Sequence, residues 1–208
     1  MTRDIDLFQA AGDRITVGSS IPSFDATLVR AMEPNAPPPM TRWQALDELQ
    51  QAGVSVFVSM SPTYSTMGED DFHELLSYFR ALGEVVVFHE PINPRGANFQ
   101  QCLTAAEQAG YDDVVTELQR MQDSHQYWVE YALEQLNTVQ QVATRFDGHE
   151  VHSWPDDELV RSTSGQLRSK LTAMQEAVSP ESFSTRDMDA SPEQSELAQD
   201  GESIEHLI

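Results

Sequence analysis

The stretch VSVFVSMSPTYSTMGEDDFHELLSYFRALGEVVVFHEPINPRG, residues 54–96, decides the fold class. Residues 54–60 form an apolar run rich in valine, the pattern of a strand buried on both faces. A polar loop over 61–68 follows. Phe72, Leu75, Leu76 and Phe79 then recur at helical spacing, which predicts a helix over about 69–82. Residues 84–89, EVVVFH, are a second apolar run of strand length. Strand, helix and strand in this order argue for parallel neighbours joined by a right-handed crossover.

The same rhythm extends outward. Upstream, residues 2–11 read as a short helix stopped by Gly12, and 14–21 read as a strand. Residues 22–39 form a Pro-rich connection with one helical turn at 25–31. Pro39 opens a helix carrying Trp43, Leu46 and Leu49, and Gly53 closes it. Downstream, a helix covers about 97–109. Residues 112–146 are helical with a break near Asp123-Ser124. HEVHSW, 149–154, is a short fourth strand, Pro155 opens a short helix, and 165–178 form the last one. From 179 onward the chain is polar and acidic, the composition of a disordered tail.

Charge narrows the function classes. The 208 residues carry 12 basic and 34 acidic side chains, a net charge of −22. Eleven of the bases are arginine, and Lys170 is the single lysine. Such a surface repels phosphate backbones and disfavours nonspecific nucleic-acid binding. The tail accounts for −7 of the excess, so the acidity is spread over the whole chain, as expected of a salt-adapted cytoplasmic protein. No apolar run approaches the ~20 residues of a membrane span. One cysteine, Cys102, excludes a multi-cysteine metal site on this chain and reads as an inert buried thiol. His125, His149 and His152 do not make a metal set, and Tyr127, Trp128 and Tyr131 read as core.

Parallel βα folds place their chemistry at the C-terminal strand ends. Three segments fall there: Ser19-Ser20-Ile21-Pro22, Met60-Ser61-Pro62-Thr63-Tyr64 and His89-Glu90-Pro91-Ile92-Asn93. The third runs on as HEPINPRGAN, which gathers five polar side chains before a helix. His89 and Glu90 suit proton transfer, and Arg95 beside a helix N-terminus suits an anion. The alternative is a rim ion pair between Glu90 and Arg95, with His89 capping the strand. Glu33 and Arg42 flank the Pro-rich turn as ligand contacts or as a structural salt bridge. Tyr64 is a ligand donor or a packing residue.

Several of these segments share a pattern. TRDIDLF…RITVGSSIPSFD…EPNAPPPMTRWQALDELQQAGVSVFVSMSPTY, then VVVFHEPINPRGANF and EVHSWPDDELV, resemble the second half of the radical S-adenosylmethionine barrel, in the branch of spore photoproduct lyase. The resemblance covers roughly residues 1–165. It implies a partial (β/α)6, TIM-like barrel in which a C-x-x-x-C-x-x-C loop holds a [4Fe–4S] cluster. The cofactor's amino and carboxylate groups chelate one iron, and its cleavage yields a 5′-deoxyadenosyl radical. The strands at 14–21, 54–60 and 84–89 correspond to the family's fourth, fifth and sixth, and Met1 falls inside a family helix. The cluster loop precedes all of this. Carried over, Ser20, Glu33, Arg42 and Ser61 are cofactor contacts. Tyr64, His89, Glu90, Asn93 and Arg95 are substrate contacts.

The expectation is therefore an α/β chain with three units. Residues 1–110 form half a TIM-like barrel of three to four parallel strands, 111–178 a helical extension, and 179–208 an acidic tail. It would be the S-adenosylmethionine and substrate side of a radical enzyme, holding no cluster and not competent alone. Its open sheet edge and inward face would need cover from helices 112–146, from the missing N-terminal half or from another chain. The alternative is a non-catalytic half-barrel that binds a small anion or a partner.

Overall fold

A computed structural model describes residues 2–83, 85–96, 98–146 and 149–177; the acidic tail expected from 179 lies outside them. A 3-10 turn at Thr2–Asp4 leads into α1 (Ile5–Ala11). A second, Gly12–Arg14, delays β1 (Val17–Ser20) past its expected start. Then come α2 (Ala26–Met32), α3 (Pro39–Gln51), β2 (Val56–Thr63), α4 (Glu69–Arg80), β3 (Val85–Pro91), α5 (Phe99–Ala109), α6 (Asp112–Asp123), α7 (His125–Ala143), β4 (His149–Ser153), α8 (Asp157–Arg161) and α9 (Gly165–Ala177).

The local causes are those the sequence announces. Asp25 caps α2 by accepting from the Thr27 and Leu28 amides, and Pro39 supplies the first turn of α3. Ser124 separates α6 from α7: it leaves the helical region, and its side chain accepts from the Tyr127 amide to start the next helix. Gly53, at φ 80°, takes the left-handed conformation that ends α3 and turns the chain into β2. β2 runs three residues beyond its expected end, to Thr63.

All strand pairs are parallel, in the spatial order β1-β2-β3-β4. Sequential order without reversal distinguishes it from a doubly wound sheet. Burial alternates along β3 and along β2 as far as Ser61, where an irregularity shifts the register. Val56, Val58, Met60, Val85, Val87 and His89 are buried, and the apolar ones pack with Leu46 and Leu49 of α3, Phe72, Leu75 and Phe79 of α4, and Val139 and Val142 of α7.

The opposite face differs. Its side chains line up across the sheet in rows set by the register: Gly18, Phe57, Val86 and Glu150 in one, Ser20, Ser59, Phe88 and His152 in the next. The described ones are half-buried, and none belongs to a core cluster. Phe57 and Phe88 meet edge to face at 5.5 Å, and Phe88 stacks on His152 at 5.7 Å. The Phe57 ring lies so close over β1 that a Cβ at Gly18 would sit 2.3 Å from it. Among the described residues the helices after Tyr111 form no core with this face: α7 packs beside α4 on the opposite side. A second core joins α2, α5, α6, α7 and α9 around Phe99, Leu118, Met121 and Trp128 and abuts the strand ends at Tyr64 and Ile92.

Candidate functional site

Of the strand-end residues singled out from the sequence, Ser20, Glu33, Arg42, Ser61, Tyr64 and Glu90 are linked by hydrogen bonds to one another, whereas His89, Asn93 and Arg95 bond elsewhere. Arg42, on α3 and 8% exposed, is the hub. Its Nε donates to Pro37 O (2.6 Å), one Nη to Ser20 O (2.9 Å) and the other to Glu33 Oε2 (2.6 Å). Each of its three nitrogens thus donates to an internal acceptor. Of the two roles open to Glu33 and Arg42, the structure displays the salt bridge, which pins the Pro-rich connection to the end of β1. Tyr64 donates to Glu33 Oε1 at 3.3 Å; burial, then the neighbouring carboxylate, push its pKa up.

A second chain of bonds runs along the bare face. Ser20 Oγ donates to Ser61 O (2.8 Å), and Ser61 Oγ donates to Glu90 Oε2 (3.2 Å). Ser59, Ser61, Phe88, His89, Glu90 and Trp154 line a recess of about 260 Å³ here. Burial raises the Glu90 pKa, the Ser61 bond opposes that rise, and Asp156 adds to it. A half-buried carboxylate bounded by aromatic rings in an open recess suits a cationic group.

His89 departs from its expected place. Its position in the alternation turns the ring under the helices, where it is fully buried. Nε2 meets Thr63 Oγ1 and Nδ1 meets Ser153 Oγ, both at 3.2 Å, while Thr63 donates onward to Gln135 at 2.6 Å. Phe72 lies edge-on to the imidazole at 5.9 Å. Burial lowers its pKa to about 3, so the ring is neutral at ordinary pH and its role here is to join β2, β3 and β4.

The Glu90–Arg95 pair, the alternative reading of this loop, is not formed. Arg95 reaches Asp156 (2.5 Å) and Glu158 (3.1 Å) and lies 4.9 Å over the Trp128 ring, while Asn93 also donates to Asp156 (2.8 Å). Asp156 caps α8, so this cluster ties the β3–α5 loop to the segment after β4. The guanidinium expected to take an anion is thus already held by two carboxylates.

Among the described residues, no group of three or more His, Cys, Asp and Glu is placed to hold a metal ion. Cys102, half-buried on α5, has its pKa raised by burial. No described helix is long and apolar enough to cross a membrane.

The sequence reading missed a second concavity. A cleft of about 480 Å³ lies between the β2–α4 loop, α4, α6 and α7, with four glutamates on its walls. The available signal was the stripe Tyr127, Glu130, Tyr131, Glu134, which recurs at helical spacing beside the core stripe of α7.

No family model matches this chain, and no solved structure matches it. It is similar to an uncharacterized protein, ORF301, of Acidianus two-tailed virus, with 28% identity over 105 residues. The match covers 48% of this chain and 35% of the viral protein.

Proposed function

We propose that this chain is the S-adenosylmethionine and substrate side of a radical S-adenosylmethionine protein, one part of a partial (β/α)6 barrel completed by another segment or chain. The observation that carries the reading is the parallel sheet in sequential order, with helices on one face and layered, half-buried rows on the other. Such rows form one face of any parallel sheet, and on this reading they face the inside of the barrel.

The residues present fit one portion of the cofactor. Glu90 in the recess suits the positively charged sulfonium and ammonium groups. Arg42 and Arg95 are each held by internal partners, and on this reading the carboxylate end falls to the part of the barrel that bears the cluster. A single thiol does not fit a [4Fe–4S] cluster, and no radical step is derived for this chain alone. The alternative, a non-catalytic half-barrel that docks a partner, draws on the same bare face but requires no cofactor.

Calorimetry separates them. On this reading S-adenosylmethionine binds the isolated chain weakly, with a Kd of about 0.1–1 mM, and Glu90→Gln weakens it about threefold to tenfold. Absence of heat at millimolar ligand, or equal affinity in Glu90→Gln, overturns the cofactor assignment and leaves the docking module.

A further inference from the structure

We propose that the recess beside Glu90 is a subsite for a methylated onium cation, a sulfonium or a quaternary ammonium, and that Trp154 is the residue that selects it. The inference rests on the reading of that recess as the place of the cofactor's positive end, and it deepens that reading: it names the ligand by charge and methylation, and it names the residue that tells a charged sulfur from a neutral one.

The recess is built from three strands. Ser59 on β2 and Phe88 on β3 are register partners, and Ser61 and Glu90, two residues further along the same strands, are joined by a hydrogen bond of 3.2 Å. Trp154 follows β4, and its amide donates to His89 O at 2.7 Å, which fixes its backbone next to Glu90. The side chains of Ser59, Ser61, Phe88, Glu90 and Trp154 thus meet around about 260 Å³.

Glu90 lacks a counter-charge there. It is half-buried and forms no ion pair among the described residues. Arg95, the guanidinium on the same loop, is turned away to Asp156 and Glu158. Asp156 itself acts on Glu90 as a further negative charge. A carboxylate withdrawn from water without a cation is costly, and a bound cation relieves the cost.

Trp154 decides which cation. It is 38% exposed, whereas Trp128 is 1% exposed in the core. Among the described residues its indole stacks on no ring and donates no hydrogen bond. An indole is the best cation–π partner, and Phe88 adds a second aromatic ring to the wall. A primary ammonium is compact and strongly hydrated. A methylated onium spreads its charge over methyl groups that pack on aromatic surface, and it suits one carboxylate flanked by rings. No group of three or more His, Cys, Asp and Glu is placed among the described residues to hold a metal ion instead.

Calorimetry at moderate salt tests the subsite with two pairs of ligands. Choline and protonated ethanolamine carry equal charge and differ in methylation, so diffuse attraction to a chain of charge −22 holds both alike. S-adenosylmethionine and S-adenosylhomocysteine differ in the charge on sulfur. Choline is expected to bind with a Kd of about 1–10 mM, at least about threefold tighter than ethanolamine, and Trp154→Leu to weaken it about fivefold or more. Trp154→Phe, which keeps a ring, should retain most of the affinity, so a general loss of folding is distinguished from loss of the indole. S-adenosylmethionine is expected to bind about tenfold tighter than S-adenosylhomocysteine, with the ratio falling to about threefold in Trp154→Leu. Choline no tighter than ethanolamine, or equal choline affinity in Trp154→Leu and the parent chain, overturns the proposal. Binding of S-adenosylmethionine that ignores Trp154 overturns it while leaving the cofactor reading in place. Trp154-dependent binding of choline without any binding of S-adenosylmethionine upholds the onium subsite and overturns the cofactor reading.

Discussion

Arg42→Ala will destabilise the protein by about 3 kcal/mol, because a buried guanidinium that serves three acceptors deprives each of its charged donor when it goes. The acceptors sit on separate pieces of chain: Pro37 in the connection, Ser20 at the end of β1, and Glu33 after α2. Glu33 is partly exposed and regains water, which holds the cost to the lower end of the range for broken buried pairs. Arg42→Lys will recover only part of it, since an ammonium does not present a planar fork to three acceptors. Glu33→Gln, which keeps an acceptor in place, will cost less than either. Urea midpoints at unchanged slope give the ordering. A loss below about 1 kcal/mol for Arg42→Ala would show that the guanidinium is not a structural hub and would return it to the ligand contacts.

The second large effect is a pH dependence carried by His89. In the unfolded chain the imidazole titrates near 6.5; in the fold burial holds it to about 3. Between those values the unfolded state binds a proton that the native state does not. The contribution is therefore complete above pH 6.5 and is lost as pH falls toward 3. From pH 7 to pH 5 the loss is about 2 kcal/mol. His89→Gln removes it, and the other titrating groups, Glu90 included, cancel in the comparison. The expected result is a parent chain whose unfolding free energy falls more steeply than the variant's between pH 7 and 5. Parallel curves would mean that the imidazole takes up its proton in the folded state and is not sealed as described.

The fold was legible where local chemistry determines it. The apolar runs at 54–60 and 84–89 gave the two central strands, Pro39 and Gly53 bracketed α3, and Ser124 marked the division between α6 and α7. The candidate site was legible as a set of segments but not as a set of contacts. Alternation places Val85, Val87 and His89 together, yet two faces that are both apolar do not reveal which one the helices cover. That is why His89 looked like a group at the mouth and lies in the core. Arg95 was matched with its near neighbour Glu90, whereas its partners Asp156 and Glu158 arrive from beyond β4. Glu33 and Arg42 meet because of the path of a Pro-rich connection, which residue spacing does not encode. Of the covers open to the inward face, the helices after Tyr111, the missing N-terminal half or another chain, the first packs on the other side.

The rows Gly18–Phe57–Val86 and Ser20–Ser59–Phe88 are the centre of the account: they are read as the inside of a barrel whose other wall is supplied elsewhere. Native mass spectrometry of the protein isolated from its source tests this most directly. On the proposed function, the residues of this 23.3 kDa chain occur in a larger species, continuous or assembled, whose added part brings a C-x-x-x-C-x-x-C loop. A homogeneous 23.3 kDa monomer would contradict it.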